Sequence, residues 1–402
     1  MVSRIKNEKF FPSFFILYEK ICIFAKNIIT MAERTEILHA IALTQIPLIG
    51  NITASKLINA CGSAEAVLKE NAKKLSQIEH IPANVANSIL SAKNMAMDIA
   101  SREMKFIDEH DVKVFLKSDG DYPKRLLQCI DAPIVLYGKG NFNLNPKYSV
   151  AVVGTRRFTE YGNLAAKKIV EDLAAYKGVQ IISGLAVGID TVAHQSSIQH
   201  SLPTIAVLGH GLKTIYPSSN RHLAEKMLQN GGILTEFTHD VPIDPHSFPK
   251  RNRIIAGMSD AVVVVEAHEK GGALITANIG ASYNRDIFAV PGRIGDKASE
   301  GCNNLIKHNV AALISSGKDI AEMMMWEDVP QKSKTKQMKL LLDFTPDEQL
   351  IVNVLEKGQE LNIDELLIAT ELNTNVLSST LLMLEFKGII NCLPGKRYVL
   401  SL

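Results

Sequence analysis

From Tyr148 to about Ile314 the chain alternates short β-branched runs with stretches of helical composition, and no other feature limits its fold as strongly. The runs are residues 149–153, 180–183, 204–208, 232–235, 261–266, 286–290 and 311–314. Continuous apolar strands are buried on both faces, and the intervening segments are long enough to cross over a sheet as helices. The pattern therefore predicts an α/β fold with a doubly wound, mostly parallel core. On such sheets ligands bind beyond the carboxyl ends of the strands, so the residues that follow each run carry the functional expectation.

The flanking segments read differently. Residues 31–105 are helical in short pieces, and 46–58 and 78–90 share the shape of a helix-hairpin-helix pair. Such a module holds DNA phosphates on its turn amides. The second hairpin lacks the turn glycine and the first has only Lys56 nearby, so a plain helical packing domain is the competing reading. A strand-like connector (112–116 and 134–137) leads into the core, which is taken as 106–328. Residues 329–345 form a polar linker with Lys332, Lys334, Lys336 and Lys339. The tail, 346–402, reads as three helices and a terminal hairpin, the order of a winged helix. At the other end, an apolar run from Phe10 to Tyr18 follows Arg4, Lys6 and Lys9, but Pro12 interrupts it and nine residues cannot span a bilayer. Residues 1–30 are expected to be an extension outside the native fold, with translation starting at Met31, and the protein to be cytoplasmic with no membrane partner.

Composition narrows the function. With 44 Lys and Arg against 42 Asp and Glu the net charge is only +2, so any nucleic-acid site must be local. The five cysteines, 22, 61, 129, 302 and 392, form no CxxC pair and read as reduced thiols, neither a disulfide framework nor a zinc site.

After the first core strand stands Gly154-Thr-Arg-Arg157, with Arg156 where a dinucleotide pyrophosphate would want glycine; no GxxxxGK[ST] occurs either. What remains is a turn with two guanidiniums at a helix start, a phosphate-friendly arrangement. After the second come Ser183-Gly-Leu-Ala-Val-Gly188 and then Asp190 and His194, which share a helix face. These two would serve as a metal or acid/base pair, or as hydrogen bonds fixing the helix start, the more common use of such a pair. Gly184 suits close approach by a ligand. Phe248-Pro-Lys-Arg-Asn-Arg253 is a compact cationic patch: Lys250, Arg251 and Arg253 would pair phosphates, and Phe248 would stack on an unpaired base. Gly271 and Gly272 open a helix that reaches Thr276, offering amides to a second anion. No reactive nucleophile stands among these turns. They describe a groove for a polyanion, with no cofactor.

Taken in order, Gly154-Thr-Arg, Ser183-Gly-Leu-Ala-x-Gly-Ile-Asp-x-x-Ala-His194, Tyr216-Pro217, Phe248-Pro-x-Arg-Asn-Arg253-Ile-Ile-Ala-Gly, Leu274-Ile-Thr-Ala277 and Val290-Pro-Gly292 resemble the DNA-processing protein A family (DprA, or Smf) over roughly 35–402. The resemblance implies a helical SAM-like domain, an extended Rossmann-like core and a winged helix. It implies a non-enzymatic protein that binds single-stranded DNA, shields incoming DNA in natural transformation and helps load the RecA recombinase. Carried over residue by residue, Arg156, Arg157, Gly184, Phe248, Lys250, Arg251, Asn252, Arg253, Gly271, Gly272 and Thr276 would form the DNA groove. Ile306 and Leu313 would lie at a homodimer interface.

This chain departs from the family in Gly271-Gly272-Ala273, where Ser-Gly-Ser is usual, and in Gly280, often alanine. Residues 346–402 carry four cations against eight carboxylates, net −4, and the would-be recognition helix has no cation. An acidic module repels DNA, so the tail is expected to bind protein or fold back on the basic groove. The rival class is a nucleotide-processing enzyme resembling the nucleoside phosphoribohydrolases, whose Pro-Gly-Gly-x-Gly-Thr-x-x-Glu signature is absent.

Overall fold

The computed structural model describes residues 31–326, 344–355, 360–393 and 397–400. The expected extension (1–30), most of the expected linker, and the Pro394-Gly turn lie outside the described residues. The chain divides into two compact units, Met1–Val329 and Pro330–Leu402.

In the first unit a helix over residues 31–44 (α1) is followed by α2 (Asn51–Cys61), α3 (Ala64–Lys69), α4 (Ala72–Leu75) and the long α5 (Ala83–His110). Small residues at Ala86, Ala96 and Ala100 let α5 lie close to its neighbours. Then come β1 (Lys113–Leu116), α6 (Lys124–Leu127), β2 (Val135–Asn141), β3 (Tyr148–Gly154), α7 (Glu160–Leu173), β4 (Val179–Ser183), α8 (Ile189–Gln199) and β5 (Thr204–Val207). The remainder is α9 (Arg221–Met227), β6 (Gly231–Thr235), α10 (Ser247–Gly257), β7 (Ala261–Val265), α11 (Gly272–Ser282), β8 (Asp286–Ala289), α12 (Glu300–Lys307), β9 (Ala312–Leu313) and α13 (Gly317–Met323).

Nine strands form one sheet in the order β1-β2-β6-β5-β4-β3-β7-β8-β9. From β6 to β9 all neighbours are parallel; β1 and β2 extend the β6 edge antiparallel. Alternate residues of each strand feed two cores. Ala151, Val153, Ile182, Val262 and Val264 pack with Ile254 and Ile255 of α10 and Ala277 of α11. Val150, Val152, Ile181, Val263 and Val265 pack with Ile169 and Val170 of α7 and Val192 of α8. Each fully buried valine contributes about 1.5–3 kcal/mol relative to an exposed one, and this two-sided burial makes the sheet doubly wound. Gly280 of α11 lies against it: a Cβ there would approach Ile287 to 2.9 Å and Val262 to 3.0 Å, so larger strand side chains fill the space alanine would take.

Strand order runs outward in opposite directions from β3 and β7, so a crevice opens beyond their carboxyl ends. The helical region is continuous with the sheet edge, since its core includes Leu116, Val135 and Tyr137. Its α5 also pins the loop between β6 and α10. Buried Glu103 accepts from the backbone N–H of His239 (2.9 Å) and from its ring Nδ1 (2.5 Å). Phe106 stacks between His239 and His110, at 4.3 and 4.1 Å between centroids.

The second unit contains α14 (Pro346–Leu355), β10 (Leu361–Asn362), α15 (Ile363–Thr370), α16 (Thr374–Phe386), β11 (Ile390–Leu393) and β12 (Arg397–Leu400). Its three helices cover a small sheet in the order β10-β12-β11. Leu366, Leu377, Leu381, Leu384 and Ile390 fill its core.

Candidate nucleic-acid interface

A cleft of about 480 Å³ occupies the crevice beyond β3 and β7. One wall is the turn Gly154-Thr155-Arg156; opposite it lie His268, Gly271 and Gly272, and α10 supplies Phe248, Arg251 and Asn252. Thr276 completes the floor. The turn is shaped from below by Gly188, at φ +98°, where a Cβ would sit 2.2 Å from the Thr155 carbonyl oxygen. Arg156 and Arg157 are both exposed. The Arg156 guanidinium rests 5.6 Å from the Phe248 ring centroid, and Tyr216 stacks on the same ring at 6.0 Å.

The two helix starts on this crevice differ. That of α7 is already occupied by an internal anion: the buried carboxylate of Glu266 accepts from the Thr159 N–H (2.8 Å) and from the Thr159 hydroxyl. A Cβ at Gly162 would strike that carboxylate at 2.2 Å. The helix start after Gly154-Thr-Arg-Arg157, expected from sequence to help cradle phosphate, therefore presents its guanidiniums but not a vacant set of amides. At α11 the reverse holds. Gly271 caps without a side-chain bond, and Gly272 has open space around its Cβ position. Backbone N–H groups can meet an anion there without the two hydroxyls of the usual Ser-Gly-Ser.

The cationic run at 248–253 splits between two faces of α10. Arg251 is buried and donates to the carbonyl oxygens of Gly184 (2.6 Å) and Val207. Burial lowers its pKa to about 10, and nearby Asp190 counteracts part of that fall. Gly184 is buried too, and a Cβ there would meet the Arg251 guanidinium at 2.4 Å; its role is to make room for Arg251 rather than to face a ligand. Lys250 and Arg253 line a second cleft of about 420 Å³ beside Gly50 and Asn51 of the first helical hairpin. Arg253 is engaged, donating to the Asp131 carbonyl (2.6 Å) and to Glu236. Asn51 also donates to Glu236 (3.1 Å), so the hairpin turn faces a carboxylate of the core. Lys250 is exposed and makes no ion pair among the described residues.

Asp190 and His194 serve structure. Asp190 accepts from the N–H groups of Gly184 (3.1 Å) and Ala186 (3.4 Å), and burial raises its pKa against the pull of Arg251. His194 shares a hydrogen bond with Thr204 Oγ1 at 2.7 Å; burial, then the charge of Arg251, pushes its pKa down to about 3. A neutral imidazole tied to a core threonine is no proton shuttle at the crevice. Ile306 is packed against the core, whereas Leu313, on the edge strand β9, is exposed. Sequence reasoning passed over Tyr216, Ile243 and Pro245, which also line the main cleft. Only the Tyr-Pro pair left a signal in the sequence.

The family model for DNA recombination-mediator protein A matches residues 113–325, and that for the DprA winged helix domain matches 337–396. Protein Smf of Synechocystis is 31% identical over 395 residues, 89% of this chain and 97% of that protein. Protein Smf of Escherichia coli is 38% identical, with 68% and 74% covered; the DNA processing protein DprA of Streptococcus pneumoniae is 41% identical, with 50% and 71% covered. The X-ray structure of DprA from Streptococcus pneumoniae is similar with a TM-score of 0.61 at 31% identity, covering 72% of this chain and 97% of that one. Among the described residues no helix is long and apolar enough to cross a membrane. The motifs at the strand ends, the doubly wound sheet and these matches agree: the chain belongs to the DNA recombination-mediator protein A family, the DprA/Smf proteins.

Proposed function

We propose that this protein is a non-catalytic binder of single-stranded DNA, largely indifferent to sequence, that shields incoming DNA and helps load RecA in transformation and recombination. One observation carries the reading. The crevice between β3 and β7 combines an exposed Arg156, the open amide end of α11 and the Tyr216–Phe248 aromatic pair. Guanidinium and amides suit phosphates, while an exposed ring suits an unpaired base of any identity, worth about 1–3 kcal/mol per base. The internal ties of Asp190 and His194 favour binding over nucleotide hydrolysis of the phosphoribohydrolase kind.

The finer parts of the proposal follow the family. Its description as a recombination mediator supports a recombinase partner. The exposed edge strand with Leu313 supports a homodimer formed along β9, with Ile306 of α12 the second expected interface residue. The protein is placed in the cytoplasm, with a helical domain at 31–105, the DNA-binding core at 106–328 and a winged helix at 346–402 joined by a linker.

The test is fluorescence anisotropy of labelled oligo-dT and of a matched duplex over a range of salt, with wild type and Arg156→Ala. A marked single-strand preference, and a weaker, less salt-dependent mutant, is expected. Equal or absent binding to both forms, with release of free base from a nucleoside monophosphate, would move the chain to the hydrolase class.

A further inference from the structure

We propose that the outward face of α16 in the winged helix docks a cationic, amphipathic helix of a protein partner and does not read DNA. This inference does not depend on how the core binds DNA. The inner side of α16 is used by the fold, through Leu377, Leu381 and Leu384. On the opposite side Leu382, Met383 and Phe386 are 54%, 52% and 81% exposed. Residues 382 and 386, and 383 and 386, lie one helical turn apart, so the three side chains make one apolar stripe. Exposed Asn375, Ser378 and Ser379 precede them on the same helix, with no bulky charge to hinder approach.

Charge selects among possible occupants. The two described cations of this unit are already engaged: Lys387 with Glu348 at 2.7 Å and Arg397 with Glu360 at 3.6 Å. Asp364, Glu371 and Glu385 are exposed, and among the described residues no cation pairs with them. A winged helix that enters a DNA groove must neutralise phosphates with its recognition helix; this one offers no cation and one carboxylate, Glu385. Anionic lipid surfaces are repelled for the same reason. An apolar stripe next to Glu385, on a unit whose exposed Asp364 and Glu371 are also without a paired cation among the described residues, instead matches a helix with apolar residues on one side and lysine or arginine beside them. The apolar side chains supply anchors at helical spacing and the carboxylates supply orientation.

The test uses the full-length chain and a defined probe: a fluorescein-labelled, amidated peptide of about five helical turns, leucine at i, i+3, i+4 and i+7 and lysine elsewhere. Saturable one-to-one binding is expected, weakened by added salt and by replacing the peptide's leucines with serine. Phe386→Asp and Leu382→Asp should each weaken it at least about tenfold, as interface anchors do. A Glu371→Lys/Glu385→Lys variant, which keeps the apolar stripe, should weaken it several-fold. All these positions are solvent-facing, and matching circular dichroism melts check that the fold is kept. Arg156→Ala should bind peptide like wild type, and Phe386→Asp should bind oligo-dT like wild type, which separates this proposal from the DNA reading. Peptide binding unchanged in Phe386→Asp overturns the proposal. So does loss of duplex affinity in that variant, which would make the face a DNA reader. So does a halving of the sedimenting mass, which would make it a self-interface.

Discussion

The strand-end crevice and the winged helix are both shapes associated with DNA, and they differ in what their cations are doing. At the crevice Arg156 and Arg157 are exposed without an ion pair among the described residues, and no side chain caps the start of α11. In the winged helix both described cations are paired with carboxylates, and α16 exposes an apolar stripe and one acid, Glu385. Fold alone therefore says little about the ligand. What decides is which charges remain after the protein has satisfied itself.

The sharpest way to break this comparison is Arg251→Ala, because Arg251 stands in the cationic motif yet behaves as core. Its removal strands the Gly184 and Val207 carbonyls and leaves buried Asp190 without its countercharge. The expected cost is about 3–5 kcal/mol of stability, read by urea denaturation. Wild-type stability with weakened DNA binding would instead make Arg251 a contact residue.

Next in size is Arg156→Ala, expected to lower oligo-dT affinity about tenfold and to flatten the salt slope by about 0.7, one single-strand phosphate, with the melting temperature unchanged. Lys250→Ala, on the second cleft, should lose less than about threefold. An equal loss for both would mean that the strand path includes the second cleft.

Buried His194 gives a pH test of the core. Its pKa, near 6.5 when unfolded, falls to about 3 in the fold, so the unfolded chain binds the extra proton. Stability should thus decline as pH falls below about 6.5, by at most about 1.4 kcal/mol per pH unit. Asp190, with its pKa raised, opposes that slope at the acid end. A His194→Asn variant should lose the decline relative to wild type in urea titrations between about pH 6 and 4; an unchanged slope would place its origin elsewhere. The smallest effect is Lys387→Met in the tail, about 1 kcal/mol or less, because that pair is partly exposed. A larger loss would mean that the pair organises the winged helix as well as neutralising it.

Much of this was legible in the sequence. Every predicted run of the core lies on a strand, and the cleft forms where the Gly154, Phe248 and Gly271 segments were expected to meet. A strand buried on both faces must be apolar throughout, and that constraint is written locally. Tyr216, Ile243 and Pro245 were not legible as groove walls: their two loops are joined by the Gly211 N–H to the Val241 carbonyl (3.0 Å) and the Lys213 N–H to that of His239 (3.2 Å), and His239 is held by Glu103 of α5.

The sequence by itself determined a parallel, doubly wound sheet with anion-friendly turns at its carboxyl ends, followed by an acidic winged helix. Only the tertiary structure decided which charges face outward. Residues 248 and 252 of α10 line the crevice, with Arg251 on the same side but buried, while 250 and 253 turn away, since each step along a helix rotates a side chain by about 100°. Arg251 was withdrawn by carbonyls 67 and 44 residues distant, and the N–H of Thr159 at the start of α7 by Glu266, 107 residues away. Burial and pairing are set by partners from remote segments, and no local spacing records them.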